Sequence, residues 1–108
     1  MSAEDARVVL MTAPDAEVAQ RIARALVEER LAACVNVVSG VRSIYRWQGA
    51  VEDDAELLLV AKTAAARCEA LAARVEALHP YELPEIVVLP VRGGGERYLD
   101  WVLSESSP

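Results

Sequence analysis

Val41-Arg42-Ser43-Ile44-Tyr45-Arg46-Trp47, then Gln48-Gly49, then Val51 to Lys62, is the stretch that decides the fold. Its first arm alternates. Val41, Ser43, Tyr45 and Trp47 point to one side of a strand, and Arg42, Ile44 and Arg46 to the other. Gln48-Gly49 supplies a turn, and the return arm carries Leu57-Leu58-Leu59-Val60, apolar on both faces. The arms of this hairpin are longer than the usual strand of ~5–6 residues. One small domain has too little other chain to cover both faces. A subunit interface is the natural place for the excess.

Working outward, Ala33 to Val38 reads as a strand that runs into the hairpin, with Ser39-Gly40 as a bend or bulge. Upstream, Val8 to Thr12 is an apolar run of strand length. Pro14-Asp15 then opens a helix over Asp15 to Arg30, with Val18, Ile22, Ala25 and Leu26 on one face. Downstream, Ala64, Cys68, Leu71, Val75 and Leu78 make the stripe of a second helix, which Pro80 ends. Glu85 to Val91 is a last strand. Its consecutive Ile86, Val87, Val88 and Leu89 predict a central strand covered on both faces. Gly93-Gly94-Gly95 is a loop and does not match a phosphate-binding motif. Glu96 to Ser104 is a short helix carrying Tyr98, Trp101 and Val102, and Ser104 to Pro108 reads as a frayed tail. The order β-α-β-β-α-β plus a helix is an α+β, ferredoxin-like pattern: two helices on one face of an antiparallel sheet. We expect a single domain over residues 1–108, with its core from about 8 to 103.

Composition narrows the function. The chain has 108 residues, 54% of them hydrophobic and 26% charged, with a formal net charge of −6. A charge of that sign excludes nucleic acid and an anionic membrane surface as main partners, and leaves cations, small molecules and proteins. No apolar run approaches the ~20 residues of a membrane span. The acidic start Met1-Ser2-Ala3-Glu4-Asp5 lacks the basic, then apolar, pattern of a secretory signal, so the expected location is cytoplasmic. Cys34 and Cys68 lack Cys-x-x-Cys spacing and read as two reduced thiols.

The densest chemistry lies in His79-Pro80-Tyr81-Glu82-Leu83-Pro84-Glu85. It offers an imidazole, a phenol and carboxylates on a segment stiffened by two prolines, the kind of rigid loop that carries sites. His79, the single histidine, has two readings: a helix-capping imidazole, or a ligand to metal or substrate. Lys62 is the sole lysine in a chain otherwise served by arginine. It is either a strand-end lysine with its head in water, or the partner of an anionic ligand or of Glu82 or Glu85. Tyr45 and Trp47 suit the rim of a pocket or cross-strand packing. No nucleophile–base motif is present, and acid/base work by His79 with Glu82 or Glu85 is the one enzymatic option left open.

Several separated stretches together resemble the CutA divalent-cation tolerance family. They are Val9-Leu10-Met11-Thr12-Ala13-Pro14-Asp15, Leu31-Ala32-Ala33-Cys34-Val35-Asn36, the segment from Gly40 through Gly49, Lys62-Thr63, the His79 to Ile86 segment and Tyr98-Leu99-Asp100-Trp101. The resemblance runs from about Val8 to Leu103. It implies a ferredoxin-like subunit in a tight homotrimer whose long hairpins extend the sheets of neighbours. It also implies tolerance of copper and other divalent metals. The copper ligands proposed for the family are a first-strand cysteine and two adjacent histidines. Here those positions hold Met11, Leu78 and His79, so Met11 and His79 are the metal candidates and a dedicated copper site is weakened. The matching positions Tyr45, Trp47, Lys62, His79, Tyr81, Glu82 and Glu85 imply a ligand pocket near the subunit interface.

The expected function is therefore a trimeric divalent metal ion (copper) tolerance or response protein, not an enzyme, that binds a metal ion or small effector at that pocket. The alternatives are a small-molecule enzyme using Lys62, His79 and a carboxylate, or a ligand-free structural or partner-binding trimer.

Overall fold

Asp15 starts the first helix by chemistry local to it. Its carboxylate accepts a hydrogen bond from the Val18 amide at 2.8 Å, which satisfies one of the free donors of the first turn. In a computed structural model, which describes residues 5–108, that helix is α1, Ala16–Glu28. Met1 to Glu4, most of the stretch on which the expected location rests, lie outside the described residues. The other elements are β1 (Ala6–Ala13), β2 (Cys34–Trp47), β3 (Ala50–Ala64), α2 (Cys68–Leu78), β4 (Ile86–Pro90) and α3 (Glu96–Glu105). Between β3 and α2, one 3-10 turn spans Ala65–Arg67, so α2 begins at Cys68 rather than at Ala64.

The four strands form one antiparallel sheet in the order β2-β3-β1-β4. That order and the βαββαβ connectivity are those of the ferredoxin-like fold. Val9, Met11 and Ala13 of β1 and Leu59 and Ala61 of β3 turn to one face. There they pack with Ile22 and Leu26 of α1 and Leu71 and Val75 of α2 as the core. The loop after α1 is tied to β3, where the buried Thr63 hydroxyl donates to the Leu31 carbonyl at 2.7 Å. Glu29, one residue past α1, accepts from Arg74 of α2 at 2.9 Å.

The segments Ala33 to Val38 and Val41 to Trp47 run on as one strand β2, and the expected irregularity at Ser39-Gly40 is a bulge. From Val38 to Val41 the strand advances three residues while its partner passes only from Leu58 to Glu56. Gly40 takes φ +79°, which a residue without Cβ adopts at no steric cost. The extra residue reverses which positions face which side. Cys34, Asn36 and Val38 face away from the helices, and after the bulge Val41, Ser43, Tyr45 and Trp47 do so. The hairpin closes through Gln48 and Gly49, at φ +49° and +84°, a two-residue turn whose handedness matches the twist of the strands.

Two expectations are corrected. β4 is an edge strand, not a central one: Val87 and Val88 are each 44% exposed and Leu89 40%. Of its apolar run only Ile86 packs against the core. The C-terminal residues are not frayed either. Ser106 is fully buried, and its hydroxyl donates to the Val102 carbonyl at 2.6 Å. Arg30 donates to the carbonyls of Ser107 and Ser104 at 2.7 and 2.9 Å, which supplies the unsatisfied end of α3 with donors.

Candidate functional site

The candidate site is assembled from the hairpin and the segment that links α2 to β4. Glu52, Asp54 and Glu56 alternate along β3 and are paired in register with Tyr45, Ser43 and Val41 of β2. A period of two puts all six side chains on one face of the hairpin. Tyr45 lies diagonally from Asp54 and donates its hydroxyl to Asp54 Oδ2.

α2 ends at Leu78, and His79 caps it with its amide donating to the Val75 carbonyl at 2.8 Å. The imidazole is buried and both of its nitrogens are used. Nε2 lies 2.8 Å from the Thr12 carbonyl, which can only accept, so Nε2 carries the proton. Nδ1 then accepts from the Tyr81 amide at 3.1 Å. The rings of His79 and Tyr81 lie 4.7 Å apart. His79 thus clamps the start of the Pro80–Glu85 segment against the end of β1. The clamp directs Tyr81 so that its hydroxyl donates to Glu56 Oε2 at 3.0 Å. Glu56 is 7% exposed, a buried carboxylate with a phenol for its partner.

The two phenol–carboxylate pairs flank one cleft of about 920 Å³. Tyr45, Trp47, Asp54 and Glu56 of the hairpin line one side, and Tyr81, Glu82 and Glu85 of the linking segment the other. The phenols are held protonated. The hydrogen bond to Asp54, with burial and the nearby acids behind it, pushes Tyr45 up to about 12. Burial, then the hydrogen bond to Glu56, pushes Tyr81 up to about 12. At neutral pH both are fixed donors, and neither is a base.

Five of the sequence candidates therefore meet: Tyr45, Trp47, Tyr81, Glu82 and Glu85 line the cleft. His79 stands behind it and positions it. Lys62 does not join them. It sits six residues beyond Glu56 on β3, roughly 20 Å along the strand, where its amine donates to Asn36 Oδ1. Within one chain its partner is Asn36, and it is not among the residues that line the cleft with Glu82 and Glu85.

The two metal candidates are engaged otherwise within one chain. Met11 is 1% exposed and belongs to the core cluster, and His79 has no lone pair left for a metal. Leu78 offers no donor atom. Among the described residues, no group of three or more His, Cys, Asp or Glu side chains is arranged to hold a metal ion. The donor set does not fit a copper ion. Asp54 and Glu56 went unnoticed in the sequence, although the alternation Glu52-x-Asp54-x-Glu56 opposite Tyr45 was there to read.

Comparison with known proteins places this architecture. Residues 7–105 match the model of the CutA1 divalent ion tolerance protein family. The chain is 61% identical over 95 residues to the divalent-cation tolerance protein CutA of Thermus thermophilus, covering 88% of this chain and 92% of the relative. It is 44% identical to the chloroplastic protein CutA of Arabidopsis thaliana, again over 88% of this chain but spanning 52% of that longer protein. The crystal structure of CutA from Xylella fastidiosa superposes with a TM-score of 0.93 at 44% identity, covering 95% of this chain and 99% of that one. With a family model matched across almost its whole length and a relative of this identity, the chain belongs to the CutA1 divalent ion tolerance family.

Proposed function

We propose that this member of a divalent-cation tolerance family works as a homotrimeric binding protein whose cleft takes a small effector, and that it is not an enzyme. The observation that carries this reading is the cleft itself: two tyrosines and a tryptophan gathered with carboxylates on two stiff supports, a hairpin and a proline-braced segment. The acid/base alternative is disfavoured by geometry. Lys62 lies far along β3 from His79, both imidazole nitrogens are engaged, and the two phenols keep their protons through neutral pH. A metal ion bound at Met11 and His79 is disfavoured because Met11 is buried in the core and both ring nitrogens of His79 are engaged.

The trimer rests on surface left uncovered by one chain. On the sheet face away from α1 and α2, Val38, Val87 and Leu89 are exposed beside half-buried Leu10, Leu58 and Val60. A contiguous apolar sheet face with an unpaired edge strand calls for a partner. As to compartment, one relative is named chloroplastic, so family membership does not fix it, and no helix among the described residues is long and apolar enough to cross a membrane.

Native mass spectrometry of freshly purified protein tests both halves. We expect a trimer, with added mass of an organic molecule when ligand is retained. A monomer at micromolar concentration would overturn the assembly. Bound copper that survives His79→Ala would leave the metal role and relocate its site.

A further inference from the structure

We propose that the cleft recognises a small organic ammonium cation, held by the faces of Tyr45, Trp47 and Tyr81 and by the surrounding carboxylates. This rests on the effector reading of the cleft and adds the chemical class of the effector.

Three observations carry it. The first is charge. Asp54, Glu56, Glu82 and Glu85 line the cleft, and Arg46 is the one cationic side chain among the described residues that does so. A concave wall of that balance concentrates cations and repels anions.

The second is where the hydroxyl protons point. Tyr45 donates to Asp54 and Tyr81 to Glu56, so the two phenols do not offer their O–H groups to an anion. Donation to a carboxylate also increases the electron density of the ring, which deepens the attraction of its face for a cation.

The third is that a single chain leaves this aromatic surface uncovered. Tyr45 is 40% exposed and Trp47 and Tyr81 are each 37% exposed, although they line a concavity. Aromatic faces beside carboxylates are the pattern that receives alkylammonium groups.

A divalent metal fits less well. It asks for six or more oxygens converging at ~2.0–2.6 Å. Here one oxygen of Asp54 and one of Glu56 already accept from phenols, and a cleft of about 920 Å³ has the size of a small-molecule site.

The test is titration of the full-length protein, followed by tryptophan fluorescence and calorimetry, with choline and with its neutral isostere 3,3-dimethylbutan-1-ol. We expect choline to bind about tenfold more tightly than the alcohol. Added salt should weaken choline alone. The double variant Glu82→Gln/Glu85→Gln changes two exposed loop side chains and should fold normally. It should reduce choline binding severalfold and leave the alcohol unchanged. Equal binding of the two probes, or no choline binding, overturns the inference. So does binding of inorganic phosphate or citrate in the cleft, although that result would keep the effector reading. Copper or manganese alone displacing choline at these carboxylates would instead favour a metal site, and would overturn the organic-cation class and the effector reading together.

Discussion

Tyr81 carries most of the site's organisation in one side chain. Its amide meets His79, its ring lies against the imidazole, and its hydroxyl satisfies the buried Glu56. Removing the hydroxyl leaves a buried carboxylate without that donor, the costly arrangement in hydrogen-bond energetics. We expect Tyr81→Phe to cost about 1–3 kcal/mol in urea unfolding; no loss would show that water replaces the phenol.

The pH dependence has a definite sign. Both cleft phenols titrate near 12 in the folded chain, above the ordinary value of 10.0. Their contribution is complete below the unfolded value and is lost as pH rises from about 10 to about 12, because the unfolded chain ionises first. Phenolate absorbance should follow this, and Glu56→Gln should bring the Tyr81 midpoint down towards 10. An unmoved midpoint would mean burial alone sets it. His79→Gln should destabilise the chain by a comparable amount. It should leave affinity for added copper unchanged, since neither ring nitrogen is free; a large loss of copper affinity would restore the metal reading.

At the scale of elements, the hairpin holds the site in register. Gly49 sits at φ +84° with open space around it, so an added side chain meets no clash and suffers only the backbone strain. Gly49→Ala should therefore cost about 1 kcal/mol. It should also loosen the pairing of Tyr45 with Asp54, readable as a fall in the Tyr45 midpoint. A variant as stable as the parent would show that the turn adopts another form. The bulge at Gly40 matters more for function. Without its extra residue, every side chain from Val41 to Trp47 would change face, and the aromatics would leave the acids behind. Arg42 and Asp53, joined through two contacts of 2.7 Å on the other side of the hairpin, are exposed. Such a pair contributes little to stability.

For the whole molecule, the uncovered sheet face is the main energetic statement. Val60 is flanked by Leu10 of β1 and Asn36 of β2, with Val87 of β4 beyond Leu10, all on the side away from α1 and α2. If three copies bury this face, a charge there is left without water or partner. We expect Val60→Lys to shift the protein from trimer to monomer in light scattering and to lower the apparent melting temperature steeply. A Val60→Lys protein that remains trimeric would place the interface elsewhere.

Much of this could be read from the chain alone. The alternation from Val41 to Trp47, the turn chemistry of Gln48-Gly49, the helical stripes and the proline stops act through near neighbours. They therefore specify the elements, their order and the shared face of Tyr45 and Trp47 directly. The density of polar groups from His79 to Glu85 likewise marked the segment that lines the cleft. What packing alone settled were relations between residues far apart in the chain. Register along β3 sets Lys62 at the level of Val8 and Leu89, outside the cleft that Glu82 and Glu85 line. The two hydrogen bonds of His79, to the Thr12 carbonyl and from the Tyr81 amide, turn a candidate ligand into a clamp. The run Ile86 to Leu89 shows the limit most plainly. Its composition reads as a central strand, but composition does not distinguish a strand paired on both sides from one at an edge. Sheet order places the strand at an edge, where one chain leaves Val87, Val88 and Leu89 exposed.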